Sequence, residues 1–209
     1  MNFSKSTIII LAIVAIILVW GVTSYNGLVS QDEKVNTEWA NVQTQYQRRA
    51  DLIPNLVNTV KGYAAHEKET LEGVIEARSK ATQITVSADD LSEENIKKFQ
   101  AAQGELQQAL GKLLAITENY PDLKANENFR DLQAQLEGTE NRITVERQKF
   151  NETVKVYNTS IRKFPTTIYA GWFGFEKKGY FEAQSGAEKA PEVMFPDWKG
   201  THAYDIYRR

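Results

Sequence analysis

The stretch RRADLIPNLVNTVKGYAAHE, Arg48 to Glu67, sets a proline in the middle of an otherwise regular helical pattern. Apolar residues recur at Val35, Trp39, Val42 and Tyr46, then at Ile53, Leu56, Val60 and Tyr63, three or four apart throughout. That spacing is one face of an α-helix. Inside a helix a proline removes a hydrogen bond and clashes with the preceding turn, costing about 3 kcal/mol or more. At the first helical position it costs little, because that N–H has no partner in any case. Ile53, just before it, is pushed away from helical geometry, and Asp51 stands where it could cap a new helix. The sequence therefore predicts a break at Pro54, with a kinked single rod as the competing solution.

Working outward, the N-terminal side of this stretch reaches an apolar run. TIIILAIVAIILVWGV, Thr7 to Val22, is almost wholly aliphatic, and no charge falls between Lys5 and Asp32. A helical span takes roughly 20 residues, which residues 6–25 supply, with Trp20 and Tyr25 where interfacial aromatics would sit. A cleaved signal peptide competes, since Val22-Thr23-Ser24 offers small residues, but the run exceeds the usual apolar core of about 7–15 residues. A retained anchor is the expectation. The amino terminus and Lys5 before the span, against Asp32, Glu33 and Lys34 just after it, favour by a single lysine a cytoplasmic N-terminus with the bulk outside the cytoplasm. The absence of cysteine excludes disulfide and thiol chemistry.

On the C-terminal side, two further segments carry helical stripes. One runs from Ser92 to Asn119, with Phe99, Leu106, Leu110, Leu113 and Tyr120 on one side and Ser92 able to cap it. The other runs from Asn126 to Phe164 along a seam from Phe129 through Leu136, Ile143, Phe150 and Tyr157. With the break at Pro54, the expected fold is all-α. A membrane anchor (1–30) precedes an up-and-down antiparallel four-helix bundle (31–164) with helices at about 28–51, 54–84, 92–119 and 126–164. Gly104 and Gly111, with Ala101 and Ala115, form a line of small residues suited to close backbone packing, or less simply to a ligand slot. An aromatic segment and extended tail (165–209) follow, the tail docking through Phe195 and Trp198.

Counting helices with that break brings FPTTIYAGWFGFEKKGYF, Phe164 to Phe181, back to the bilayer. Trp172, Phe173 and Phe175, interleaved with Lys177 and Lys178, suit a lipid–water interface. They suit a cap on the open end of the bundle equally well.

Three long runs resemble the LemA family: YNGLVSQDEKVNTEWANVQTQYQRRADLIPNLVNTVKGYAAHE, ENYPDLKANENFRDLQAQLEGTENRITVERQKFNETVKVYN and FPTTIYAGWFGFEKKGYFEA. Together they cover about Tyr25 to Ala183. The resemblance implies one N-terminal membrane helix followed by a helical-bundle domain, with no established enzymatic activity. It also implies a short N-terminus outside the cell, opposite to the charge bias, so sidedness stays open at this stage. The tail after Ala183 carries no distinctive match.

Little in the chain suggests catalysis. With no cysteine and only His66 and His202, a nucleophile–histidine arrangement has nothing to work with. There is no glycine-rich phosphate loop and no nucleophile elbow. His66, Glu69, Thr70 and Glu72, joined by Glu140 or Asp131, are the nearest thing to a metal site, as part of a membrane sensor or enzyme. A solvated helix face is the ordinary reading of such a cluster. Arg49 (or Arg48), Asp51 and Asn55 around the proline, with Glu140, Arg147 and Asn151, form a polar network expected to fix helix pairing; Glu146 falls on the seam beside it. No cofactor is expected. A net charge of −2 without a concentrated basic face argues against nucleic acid. The expected role is a single-pass scaffold of the bacterial inner membrane and cell envelope. Its expected partners are the bilayer, other copies of itself and envelope proteins, with membrane shaping through the aromatic segment as the alternative.

Overall fold

A computed structural model describes residues 4–182. Among these residues every regular element is helical: α1 Lys5–Lys61, α2 Lys68–Gln83, α3 Glu93–Thr117, α4 Pro121–Ala125, α5 Glu127–Arg162, α6 Thr166–Tyr169 and a 3₁₀ turn Gly171–Phe173. The expected extended tail, with Phe195 and Trp198, lies outside the described residues.

The break expected at Pro54 does not occur. α1 is one helix from the apolar N-terminal run to Lys61, with Pro54 inside it. Two local facts explain why. Ile53, Leu56, Val57 and Val60 lie buried on the same face as Trp39, Val42 and Tyr46, so continuing the helix keeps one uninterrupted apolar stripe against its neighbours. The carbonyl of Ala50, which Pro54 cannot serve, accepts instead from Arg78 Nε on α2 at 2.7 Å. Asp51 does not cap a helix; it accepts from Gln47 one turn earlier. The chain reverses eight residues later, at Gly62–Glu67, where Ala64 is fully buried.

The reversal thus lies past Pro54 rather than at it. α5 runs back along α1, as shown at one end by Tyr63 with Asn126 and further along by Arg49 with Glu140. α2 is only 16 residues, and the chain after it crosses α1, where Val86 O accepts from Trp39 Nε1 and from Gln43 Nε2. α3 then packs on α2. Ser92 caps α3 by accepting from Asn95 N–H, and Asn126 caps α5 through Phe129 N–H. Pro121 opens the short α4 rather than merely ending α3.

The buried apolar residues form two clusters. One, nearer the apolar end of α1, gathers Leu28, Val35, Trp39, Phe99, Phe150, Tyr157 and Phe181. The other, at the far end, gathers Ile53, Leu56, Leu71, Leu106, Leu113 and Phe129. The first part of α1 is exposed throughout and is the one described helix long and apolar enough to cross a membrane.

The small-residue line on α3 also departs from expectation. A Cβ added at Gly104 or Gly111 would meet no atom within 4 Å, and Ala101 is exposed. No backbone among the described residues packs against that line. α3 and α5 make few close backbone approaches, and a groove runs between them.

Candidate functional site: an aromatic foot and a polar groove

Two places gather the side chains singled out in the sequence. The first lies where α1 leaves its apolar stretch. α5 ends at Arg162, and a sharp turn sends α6 and the 3₁₀ turn alongside α1. Gly174, with φ of +78°, closes that turn in the left-handed region that glycine enters freely. Trp20 meets Tyr169 edge-on at 6.1 Å between ring centres. Tyr25 meets Phe173 at 5.2 Å and Phe175 at 5.7 Å, also edge-on. The contacts leave much of the segment bare: Phe164 and Trp172 are each 80% exposed, and Ile168 and Phe173 are more than half exposed. Just beyond, Lys178 pairs with Asp32 at 2.8 Å and lies over the Tyr157 ring. Burial pushes the Tyr157 phenol well above its ordinary value, with Asp32 and Glu176 adding to the shift.

The second place is the groove between α3 and α5. Segment 175–182 is a strap laid into its near end, held by side-chain amides on backbone groups. Asn158 accepts from Lys178 N–H and donates to its carbonyl; Asn151 does the same to Phe181. Gln100 on α3 accepts from Glu182 N–H and donates to Glu182 O, which also accepts from Arg147. Gly179 N–H donates to Leu91 O at 2.7 Å. Phe181 drops into the core, stacked on Trp39 at 6.0 Å and edge-on to Phe150 at 5.5 Å, with Arg147 over its outer face. Sequence reading missed the strap. Its signal was Asn151 and Asn158, two polar residues seven apart on an otherwise apolar seam.

Past the strap's last residue the groove opens into a hollow of about 650 Å³ floored by Tyr46 and Arg49 and walled by Gln103 and Gly104. Arg49 is 2% exposed. Its Nη1 donates to Glu140 at 2.9 Å, and its Nη2 donates to the carbonyl and side-chain oxygens of Gln103. Its Nε is buried with no acceptor. Burial pushes the Tyr46 phenol up, with Arg147 and Arg49 opposing.

Of the six residues expected to form one polar network, the structure joins Arg49 to Glu140 alone. Arg147 and Asn151 hold the strap, while Asp51 and Asn55 remain exposed on α1. Gln103, not foreseen, completes the Arg49 shell. Glu146 pairs with Lys149 rather than joining it. His66 lies in the turn before α2 rather than on a helix with Glu69, Thr70 and Glu72, and Glu140 is occupied by Arg49. Among the described residues no group of three or more His, Cys, Asp or Glu is placed to hold a metal ion.

Comparison with known proteins finds matches over most of the chain. The model of the LemA family matches residues 38–195. Magnetosome protein MamQ 2 of Paramagnetospirillum magneticum is 25% identical over an alignment covering 87% of this chain and 74% of that protein. Magnetosome protein MamQ of Magnetospirillum gryphiswaldense is 26% identical over 78% of this chain and 66% of its own length. Protein LemA of Metamycoplasma hominis is 24% identical over 70% of this chain and 60% of its own length. None of these names states an enzymatic activity.

Proposed function

The chain belongs to the LemA family, and from that premise we propose a non-catalytic, single-pass membrane scaffold of the bacterial cell envelope. Helices α1, α2, α3 and α5 act as an up-and-down bundle whose aromatic foot sits in the lipid–water interface. The observation that carries the reading is the packing of Tyr25, at the end of the apolar run, against Phe173 and Phe175. It holds the bare faces of Trp172, Ile168 and Phe164 at the level where α1 leaves hydrocarbon. Indole and phenyl rings that are half-wet on the protein gain by resting among headgroups and upper acyl chains.

The foot makes the anchor more than a tether. A lone helix leaves its domain free to swivel, whereas a second contact fixes the tilt of the body against the bilayer. Copies oriented alike on one surface are concentrated in two dimensions and self-associate more readily. We place the bulk outside the cytoplasm on the charge bias around the span, and protease access in spheroplasts tests that side.

The interface is tested with the full chain in vesicles containing brominated lipid, with Trp20, Trp39 and Trp198 changed to Phe. Strong quenching of Trp172 is the expected result. Emission from Trp172 that responds only to an aqueous quencher would overturn the foot while leaving the anchor intact. Crosslinking in membranes at native expression tests self-association, and a strictly monomeric pattern would retire it.

A further inference from the structure

A separate cavity, of about 390 Å³, opens between the aromatic foot and the turn that precedes α3. We propose that it takes the headgroup of an ethanolamine phospholipid, a primary ammonium tethered to a phosphate diester, drawn from the leaflet in which the foot rests. The proposal rests on the reading of the foot as interfacial and adds a ligand to it.

Level is the first argument. Tyr25, Val29 and Asp32 line the cavity from successive turns of α1, so it reaches seven residues, about 10.5 Å of rise, past the end of the apolar run. The headgroup layer on each side of a bilayer is roughly 5–8 Å deep. The cavity thus begins inside that layer, with the half-bare ring of Phe173 at its edge, and a volume of this size holds a compact ligand.

Charge is the second argument. The carboxylates of Asp32, Asp89, Asp90 and Glu176 stand against only Lys177 and Lys178. Asp32 is engaged by Lys178 at 2.8 Å, whereas Asp89, Asp90 and Glu176 make no side-chain ion pair or hydrogen bond among the described residues. The surplus is negative, and a cleft with that surplus concentrates a cation. Lys177 is more than half exposed and reaches only Glu93, at 3.8 Å. An ammonium held at the carboxylates therefore has a free lysine at the same mouth to take its phosphate.

Tyr157 is the third argument, and it is independent of the acidic residues. The residue is 1% exposed, yet it lines this cavity. Its phenol makes no hydrogen bond among the described residues, and the oxygen is not sealed from solvent. A side-chain hydroxyl so deeply set ordinarily has a partner, and a ligand N–H or phosphate oxygen supplies one. Tyr157 also selects the kind of ammonium. A quaternary ammonium is held by aromatic faces, but Lys178 already lies over the Tyr157 ring, 5.6 Å from its centre. What stays free is oxygen, which binds a primary ammonium through its N–H donors.

Native mass spectrometry of the full-length protein in detergent micelles tests this, with dihexanoyl phosphatidylethanolamine titrated against the phosphatidylcholine of the same chains. The expected result is binding of the ethanolamine lipid about tenfold or more tighter, as charge-assisted hydrogen bonds to a primary ammonium require. Asp89→Asn with Asp90→Asn, both exposed, should abolish the preference. Tyr157→Phe, which keeps the ring beneath Lys178, should reduce it several-fold. Glu69→Gln with Glu72→Gln makes the same charge change on α2 and should leave it intact; an equal loss there would overturn the site by showing a response to bulk charge. Equal binding of the two lipids, with Trp172 still quenched by brominated lipid, would overturn the site while the foot stands. Displacement by free ethanolamine at a concentration equal to that of the lipid would overturn the lipid as the ligand and point to a soluble amine.

Discussion

Arg78 on α2 donates from Nε to the carbonyl oxygen of Ala50 on α1, at 2.7 Å, where Pro54 has no N–H to offer. The vacancy that a proline leaves in a helix is filled from another helix, and this relation permits α1 to pass through Pro54 unbroken. Ala50 is buried, so its carbonyl has little access to water. Arg78→Met should therefore cost about 1–3 kcal/mol, the usual penalty for an orphaned buried acceptor. In a Pro54→Ala background the restored N–H reaches that carbonyl, and the same Arg78 change should cost measurably less. Pro54→Ala alone should stabilise, since Pro54 is exposed and its removal leaves no core cavity. Thermal unfolding of the four proteins in detergent closes the cycle. Equal Arg78 penalties in both backgrounds would show that the proline and the arginine are unrelated.

That relation marks where sequence reading ends. The apolar stripes, both asparagine and serine caps and the seam of α5 follow from period and local chemistry, which neighbours in sequence determine. Whether Pro54 breaks its helix depended on Arg78, 24 residues away on a helix whose position no local rule gives. The polar residues behaved likewise. Glu140 and Arg49 were legible as partners because each is a charge beside an apolar seam. Gln103 was not, since a glutamine on a helix carries no mark of burial. Counting helices led to the expectation that the aromatic segment lies near the apolar end of α1, and Tyr169, Phe173 and Phe175 do pack on Trp20 and Tyr25, although the turn was expected at a different place.

The strap depends on Gly179. A Cβ there would lie 2.7 Å from Glu93 Cα and 3.0 Å from Ser92 O, both backbone atoms that cannot swing aside. Gly179→Ala should push the strap off the start of α3 and loosen Phe181 in its box of Trp39, Phe99 and Phe150. A loss of about 1–3 kcal/mol is expected, as for other overpacked sites. Red-shifted Trp39 emission in a protein with its other tryptophans changed to Phe would report the exposed core. Asn151→Asp is the complementary test. It keeps the shape but removes the donor to Phe181 O, so it should weaken the strap without any clash.

Arg49 and Glu140 are unequal partners. Arg49 is almost wholly enclosed, whereas the Glu140 side chain is 35% exposed. Glu140→Ala leaves a buried guanidinium with Gln103 as its chief support. The cost should approach, without reaching, the roughly 3–5 kcal/mol seen when one member of a buried pair is removed, because water can reach the vacated side. Glu140→Gln keeps an acceptor and should recover a large part of the loss. Changing both residues to Met should be milder than Glu140→Ala, since no charge is then left unpaired. A double change more damaging than the single would mean that the pair stabilises beyond its own neutralisation.

Two buried phenols predict the alkaline limit of stability. Tyr157 and Tyr46 are both raised chiefly by burial, and Tyr46 is partly relieved by Arg147 and Arg49. The folded protein therefore holds these protons more tightly than the unfolded chain does. Their contribution is fully present below the unfolded phenol value of about 10 and drains away as pH rises above it. Unfolding free energy measured in detergent should thus be insensitive to these groups near neutrality and fall with increasing slope above about pH 10. Tyr157→Phe should flatten the fall more than Tyr46→Phe, because nearby Asp32 and Glu176 add to the burden on Tyr157 while arginines ease Tyr46. An alkaline slope unchanged in Tyr157→Phe would mean that hydroxide reaches this phenol in the folded state and that the packing of Lys178 and Asp32 over it is looser than the 2.8 Å pair implies.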